Sequence, residues 1–109
     1  MIVSLFGNVT VEKILFFLNV YGEGYPLGMA KTFGEAVNKI QQQLKRLEGG
    51  GIVASRLVGN VRLYTLDPRY PFLKELKALI ARAYEFLPEN EKNKYYRLRT
   101  RPRRAGKPI

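Results

Sequence analysis

The chain contains no cysteine and no histidine. Without cysteine there is no disulfide framework, no thiol nucleophile and no thiolate metal site. Without histidine the commonest general base and the commonest transition-metal ligand are gone. A metal site built on carboxylates alone needs clustered acids, and the 9 Asp and Glu of this sequence are scattered. No apolar run approaches the ~18 residues of a membrane span. Residues 1–6 are apolar, yet they lack the cationic start and the length of a signal peptide. These absences lead us to expect a cytoplasmic protein that is not an enzyme and carries no cofactor or metal.

Acid is also missing locally. The chain has 19 Lys and Arg against 9 Asp and Glu, a formal net charge of +10. Residues 1–91 hold 11 of the cations and all 9 acids. Lys92, Lys94, Arg97, Arg99, Arg101, Arg103, Arg104 and Lys107 follow with no acid among them. A near-neutral body with a cationic tail points to a polyanionic partner, nucleic acid before membrane. At 109 residues there is room for one modest core. The expected division is a folded domain over 1–91 and a basic tail over 92–109. The tail shows no apolar periodicity. It reads either as a solvated tail or as an arm whose Arg97, Arg99, Arg101, Arg103 and Arg104 follow DNA phosphates or enter the minor groove.

Periodicity organises the rest. In "NVTVEKILFFLNVYG" the apolar residues Val11, Ile14, Leu15, Leu18 and Tyr21 have helical spacing. Asn8 or Thr10 can cap the start, and Gly22 ends the helix. Phe16 and Phe17 widen the stripe, which fits either burial on two sides or a dimer contact. "YGEGYP" is a loop. "LGMAKTFG" is a short helix with Leu27, Ala30 and Phe33 inward and Gly34 in the left-handed position after its end. A third helix, 36–47, buries Val37, Ile40, Leu44 and Leu47. Asn38, Gln41, Gln42, Lys45 and Arg46 lie away from that stripe, with Lys39 and Gln43 at its margins. No acid falls within 36–47.

Two β-rich runs, 52–57 and 62–66, follow around Gly59-Asn60, a pair typical of tight hairpin turns. Arg56 and Arg62 are expected to flank the tip. After "DPRYP" comes an amphipathic helix over about 71–87, stopped by Pro88. Its stripe is long for so small a body. Phe72, Leu76, Leu79, Ile80, Ala83, Phe86 and Leu87 are therefore expected to pair with their counterparts in a two-fold homodimer.

The order helix, short helix, helix, hairpin, long helix describes an α+β, mostly helical fold: a winged helix-turn-helix with a two-stranded wing and a long C-terminal amphipathic helix. The stretches "LFGNVTVEKILFFL", "MAKTFG", "QQQLKRLEGGGIVASRLVGNVRLYTLDP" and "FLKELKALI" resemble bacterial winged-helix regulators of the ArsR-like type. The nearest likeness is to a subgroup sometimes fused to, or encoded beside, small nucleotidyltransferases. The resemblance covers residues 5–80, and its most specific part is the step from "LKRLE" through "GI" into the hairpin. The sequence departs from the family pattern at Ala36, where Ser or Thr often caps the third helix, at Gly28, and in "EGGGI". It also lacks the Cys and His ligands of the metal-sensing members.

The resemblance implies a homodimeric transcriptional regulator that binds double-stranded DNA. It makes 36–47 the recognition helix and 56–62 the wing. The residue types suit that role. Asn and Gln pair bidentately with adenine, and Lys and Arg with guanine or phosphate. The expected DNA contacts are Val37, Asn38, Lys39, Gln41, Gln42, Lys45 and Arg46 on the helix, and Arg56, Asn60 and Arg62 on the wing. A solvated polar face and a hairpin kept soluble by its arginines would show the same residues. Two other partners stay open: a protein neutralised by this module in the manner of an antitoxin, such as a nucleotidyltransferase, and RNA.

Overall fold

The computed structural model describes residues 2–98. A short helix α1 (Val3–Phe6) leads into α2 (Val9–Tyr21). Asn8 is the cap of α2: its side-chain oxygen accepts from the Val11 N–H at 2.7 Å. Thr10 is thereby left for another task, and its hydroxyl donates to Glu35 at 3.0 Å. Val11, Ile14, Leu15, Phe16 and Leu18 are all buried, so α2 runs through the middle of the core. Phe17 is half-buried and packs on Tyr21 and Phe33, with ring centroids 4.6 and 5.8 Å away. Both phenylalanines that widen the stripe of α2 are thus used inside the monomer.

Helix α3 (Pro26–Phe33) starts on a proline, whose missing N–H costs nothing in a first turn. Met29, Ala30 and Phe33 are its buried residues, and Leu27 is 51% exposed. The inward face falls a little later than expected, because the fully buried Met29 fills the place assigned to Leu27. Helix α4 (Val37–Gly49) buries Ile40, Leu44 and Leu47. The turn between α3 and α4 is pinned to α2 through Glu35, which accepts from Thr10 and, at 3.3 Å, from Lys13.

Strands β1 (Val53–Val58) and β2 (Val61–Leu66) form one antiparallel ribbon. Val58 pairs with Val61, so Gly59-Asn60 is a two-residue loop. Gly59 has φ +63°, while Asn60, like every other described non-glycine residue, does not have positive φ, which is the pattern of a type II′ turn. The base of β2 gains a third partner: Gly24 exchanges backbone hydrogen bonds with Tyr64, at 3.0 and 2.8 Å. A side chain at Gly24 would force the Phe17 ring to move, since a Cβ would lie 2.6 Å from it.

Helix α5 (Leu73–Glu85) is shorter than the 71–87 expected. Its stripe divides. Ile80 and Ala83 are buried in the monomer core, with Leu76 and Leu87 partly buried against it. Those four expected interface residues are therefore occupied largely within one chain. Phe72, Leu79 and Phe86 remain exposed.

After Pro88 the chain forms one short turn, α6 (Glu89–Glu91), and a π-helical turn, Lys92–Tyr96. Tyr96 is buried edge-on against Phe16 at 5.6 Å and Tyr84 at 5.8 Å, and Tyr95 packs on Phe33 at 5.4 Å. Lys92 is buried too, its ammonium over the Tyr84 ring and 3.3 Å from Glu89. The boundary expected after Glu91 thus cuts through the core. Two adjacent tyrosines, which carry no helical period, supply the apolar surface that periodicity did not reveal.

Candidate nucleic-acid interface

Helix α4 places its polar residues as its period requires. Ile40, Leu44 and Leu47 hold it to the body, while Asn38, Lys39, Gln41, Gln42, Lys45 and Arg46 are exposed. Lys39 belongs to the open face, not to the margin. None of these six has a side-chain hydrogen bond or ion pair among the described residues. Val37 is half-buried at the start of the helix. Gln43 differs from its two neighbours: its side-chain oxygen accepts from the Asn8 amide at 3.2 Å. The three consecutive glutamines are therefore not equivalent. Two face solvent, and the third ties α4 to the cap of α2.

The wing arginines are separated. In the register Arg56 pairs with Leu63 and Leu57 with Arg62, which puts Arg56 and Arg62 on opposite faces of the ribbon. They do not flank the tip together. Arg56 reaches back to Glu23 at 3.2 Å, an exposed pair worth little stability. Arg62 donates to the Ser55 hydroxyl at 3.0 Å, and that hydroxyl donates to Glu48 at 2.7 Å. Tyr64, beside this group, is a core residue; its burial, and then the Glu48 carboxylate, push its phenol up.

An open groove of about 320 Å³ joins the two elements. It is lined by Tyr25 and Leu27 at the start of α3, Val37 and Gln41 of α4, and Asn60 and Arg62 of the wing. The start of α4 and the wing tip therefore share one continuous surface. Lys45 and Arg46 lie further along the same helix.

Of the cationic tail only residues 92–98 are described, and two of its cations there are paired within the chain. Arg97 donates to Glu89 at 2.8 Å and to Asn93 at 2.9 Å. Arg97, then Lys92, hold the Glu89 carboxyl below its usual range. Arg97, an expected DNA contact, is thus paired within the chain. Arg99, Arg101, Arg103 and Arg104 lie outside the described residues.

Two features had weak sequence signals. Leu57, Val58 and Val61 stand exposed around the wing tip. They belong to the "LVGNV" string, whose aliphatic residues are equally those of a buried hairpin end. The bridge between Gly24 and Tyr64 joins residues forty positions apart, and no local pattern marks it.

Among the described residues no three acidic side chains cluster as metal ligands would. No helix among them is long and apolar enough to cross a membrane.

The architecture is the winged-helix fold of transcriptional regulators, with α3 and α4 as the helix-turn-helix and the ribbon as the wing. Solved structures with this arrangement include the adhesin competence repressor AdcR from Streptococcus pyogenes, with TM-score 0.61, 16% identity and coverage of 72% of this chain and 57% of that one. The antimony-specific transcriptional repressor AntR matches with TM-score 0.59, 24% identity, and 84% and 80% coverage. A MarR-family transcriptional regulator from Rhodococcus sp. RHA1 matches with TM-score 0.58, 20% identity, and 84% and 71% coverage. The chain spans little more than half the length of the AdcR chain. At these identities the likeness is one of fold. No protein-family model matches the sequence. No curated protein matches it either.

Proposed function

We propose that this chain is a sequence-specific regulator of transcription that binds double-stranded DNA as a homodimer in the cytoplasm. One observation carries the reading. From Asn38 to Arg46 the exposed side chains of α4 are amides and cations without an acid and without side-chain hydrogen bonds or ion pairs among the described residues, in continuity with the wing; Glu48, the acid of this helix, stands at its end and accepts from Ser55. A major-groove reader needs free donors and acceptors to address base edges, and cations to meet phosphate. Phosphate contacts would set the register, and Asn38, Gln41 and Gln42 would discriminate bases. Arg56 would have to leave Glu23 to reach DNA, a small cost for an exposed pair.

The dimer part of the reading rests on Phe72, Leu79 and Phe86, exposed apolar residues in and beside α5. Two-fold pairing there would space the two α4 helices by about 34–36 Å, one turn of DNA. Within winged-helix regulators, the sequence motifs favour the ArsR-like type. The experiment is a binding-site selection on random duplex DNA. The reading expects an inverted repeat with half-sites about 10 base pairs apart. An unenriched pool would reject it.

A further inference from the structure

The wing tip is the part of this surface that base reading by α4 leaves unexplained. Leu57 is 63% exposed, Val58 49% and Val61 40%. All three surround the Gly59-Asn60 loop. Val58 and Val61 form the last pair of the ribbon on one face, and Leu57 stands on the other. The wing's two cations do not serve the tip: Arg56 is drawn to Glu23, and Arg62 to Ser55. A wing that only clamped phosphates would carry its cations outermost. Here the loop itself carries one polar side chain, Asn60, the residues next to it on both strands are aliphatic, and the cations stand behind them.

We propose, building on the DNA-binding reading, that the wing tip is an apolar wedge that enters the minor groove beside the α4 contact, opens a base step and bends the duplex. Three observations select DNA as the occupant. The groove lined by Val37, Gln41, Asn60, Val61 and Arg62 puts the tip on the same surface as the base-reading face. No acid lies in either strand, so no side chain of the ribbon repels phosphate, and Arg56 and Arg62 stand behind the tip on opposite faces of the ribbon. A ribbon ending in a two-residue loop is narrow, as a groove of about 6 Å demands. Aliphatic side chains inserted between base pairs unstack them and kink the duplex. Pyrimidine–purine steps open most readily, so the wedge gives sequence preference at a position that no side chain hydrogen-bonds.

The test uses the full chain and its selected duplex, with a fluorescent dye at each DNA end to read the bend by energy transfer. The wild-type complex should bend by about 20–90° and favour a TA or CA/TG step under the wing. Changing Leu57, Val58 and Val61 together to serine should keep the thermal transition, straighten the DNA and erase the step preference. The bases read by α4 should stay as they are. The chain has no tryptophan, so Leu57→Trp introduces a single reporter, and its emission should be quenched on duplex binding. A straight wild-type complex, an equal bend with the triple variant, or an unquenched reporter would each overturn the wedge. So would a triple variant that changes self-association in light scattering and leaves the bend alone, since the tip would then be a protein contact. If no duplex is selected at all, the DNA-binding reading fails first and the wedge falls with it.

Discussion

The hydroxyl of Tyr21 donates to the carbonyl of Tyr95 at 2.8 Å and accepts the Leu98 N–H at 3.0 Å. One side chain at the end of α2 thus holds the C-terminal segment at two points, with Tyr96 in the core between them. The folded body extends at least to Leu98.

A chain ending at Leu98 keeps every one of these contacts and should give a cooperative thermal transition. A chain ending at Glu91 loses Tyr96 from the core, and Tyr96→Ala alone should cost about 3–5 kcal/mol in denaturant unfolding. On DNA the shorter deletion has a second effect. Each phosphate that the removed cations neutralise contributes about −0.9 to the slope of log K against log salt. The Leu98 truncation should therefore bind with a shallower salt slope and an unchanged sequence preference.

Burial, and then the charges of Glu12 and Glu91, push the Tyr96 phenol far above its ordinary value. A phenol kept neutral in the fold contributes stability that is full below pH 10.0, its value in the unfolded chain, and lost as pH rises beyond it. Tyr21 and Tyr64 shift the same way by burial. The midpoint of urea unfolding should be flat between pH 7 and 9 and fall above pH 10. Tyr96→Phe should flatten that alkaline decline. A decline as steep as the wild type's would assign it to other groups.

Neighbouring residues on α5 separate folding from assembly. Ile80 is fully buried, whereas Leu79 is 37% exposed. Ile80→Asp places an unpaired charge in the core and should abolish the cooperative transition. Leu79→Asp should leave the monomer folded and shift light scattering from dimer to monomer at tens of micromolar. A dimer that persists in Leu79→Asp and in Phe72→Asp would remove α5 from the interface.

Elements with one strong period were legible in the sequence. Helix α4 shows its buried stripe as Ile40, Leu44 and Leu47, and the hairpin shows its turn as Gly59-Asn60. Legibility failed where tertiary packing decided. Leu27 and Met29 are both apolar in a helix of two turns, and only the position of α2 settles which one is covered. Ile80 and Leu79 share a stripe, and its division between core and surface depends on how α5 lies across the body. On the candidate interface the exposed face of α4 could be read from periodicity. The opposite orientations of Arg56 and Arg62 follow from the register that a two-residue Gly59-Asn60 loop sets, but strands expected to stop at 57 and start at 62 left out the closing pair Val58–Val61 and set both arginines beside the tip.

The exposed face of α4 is the centre of the account, and one comparison tests it most directly: binding-site selection with the wild type, Gln42→Ala and Lys45→Ala. Gln42 is assigned to a base edge, so its removal should erase discrimination at one or two base pairs, about 1–3 kcal/mol in competition binding. Lys45 is assigned to phosphate, so its removal should weaken all sequences alike and leave the selected site intact. Identical selected sites and affinities for all three proteins would contradict the assignment of α4 as the reading helix.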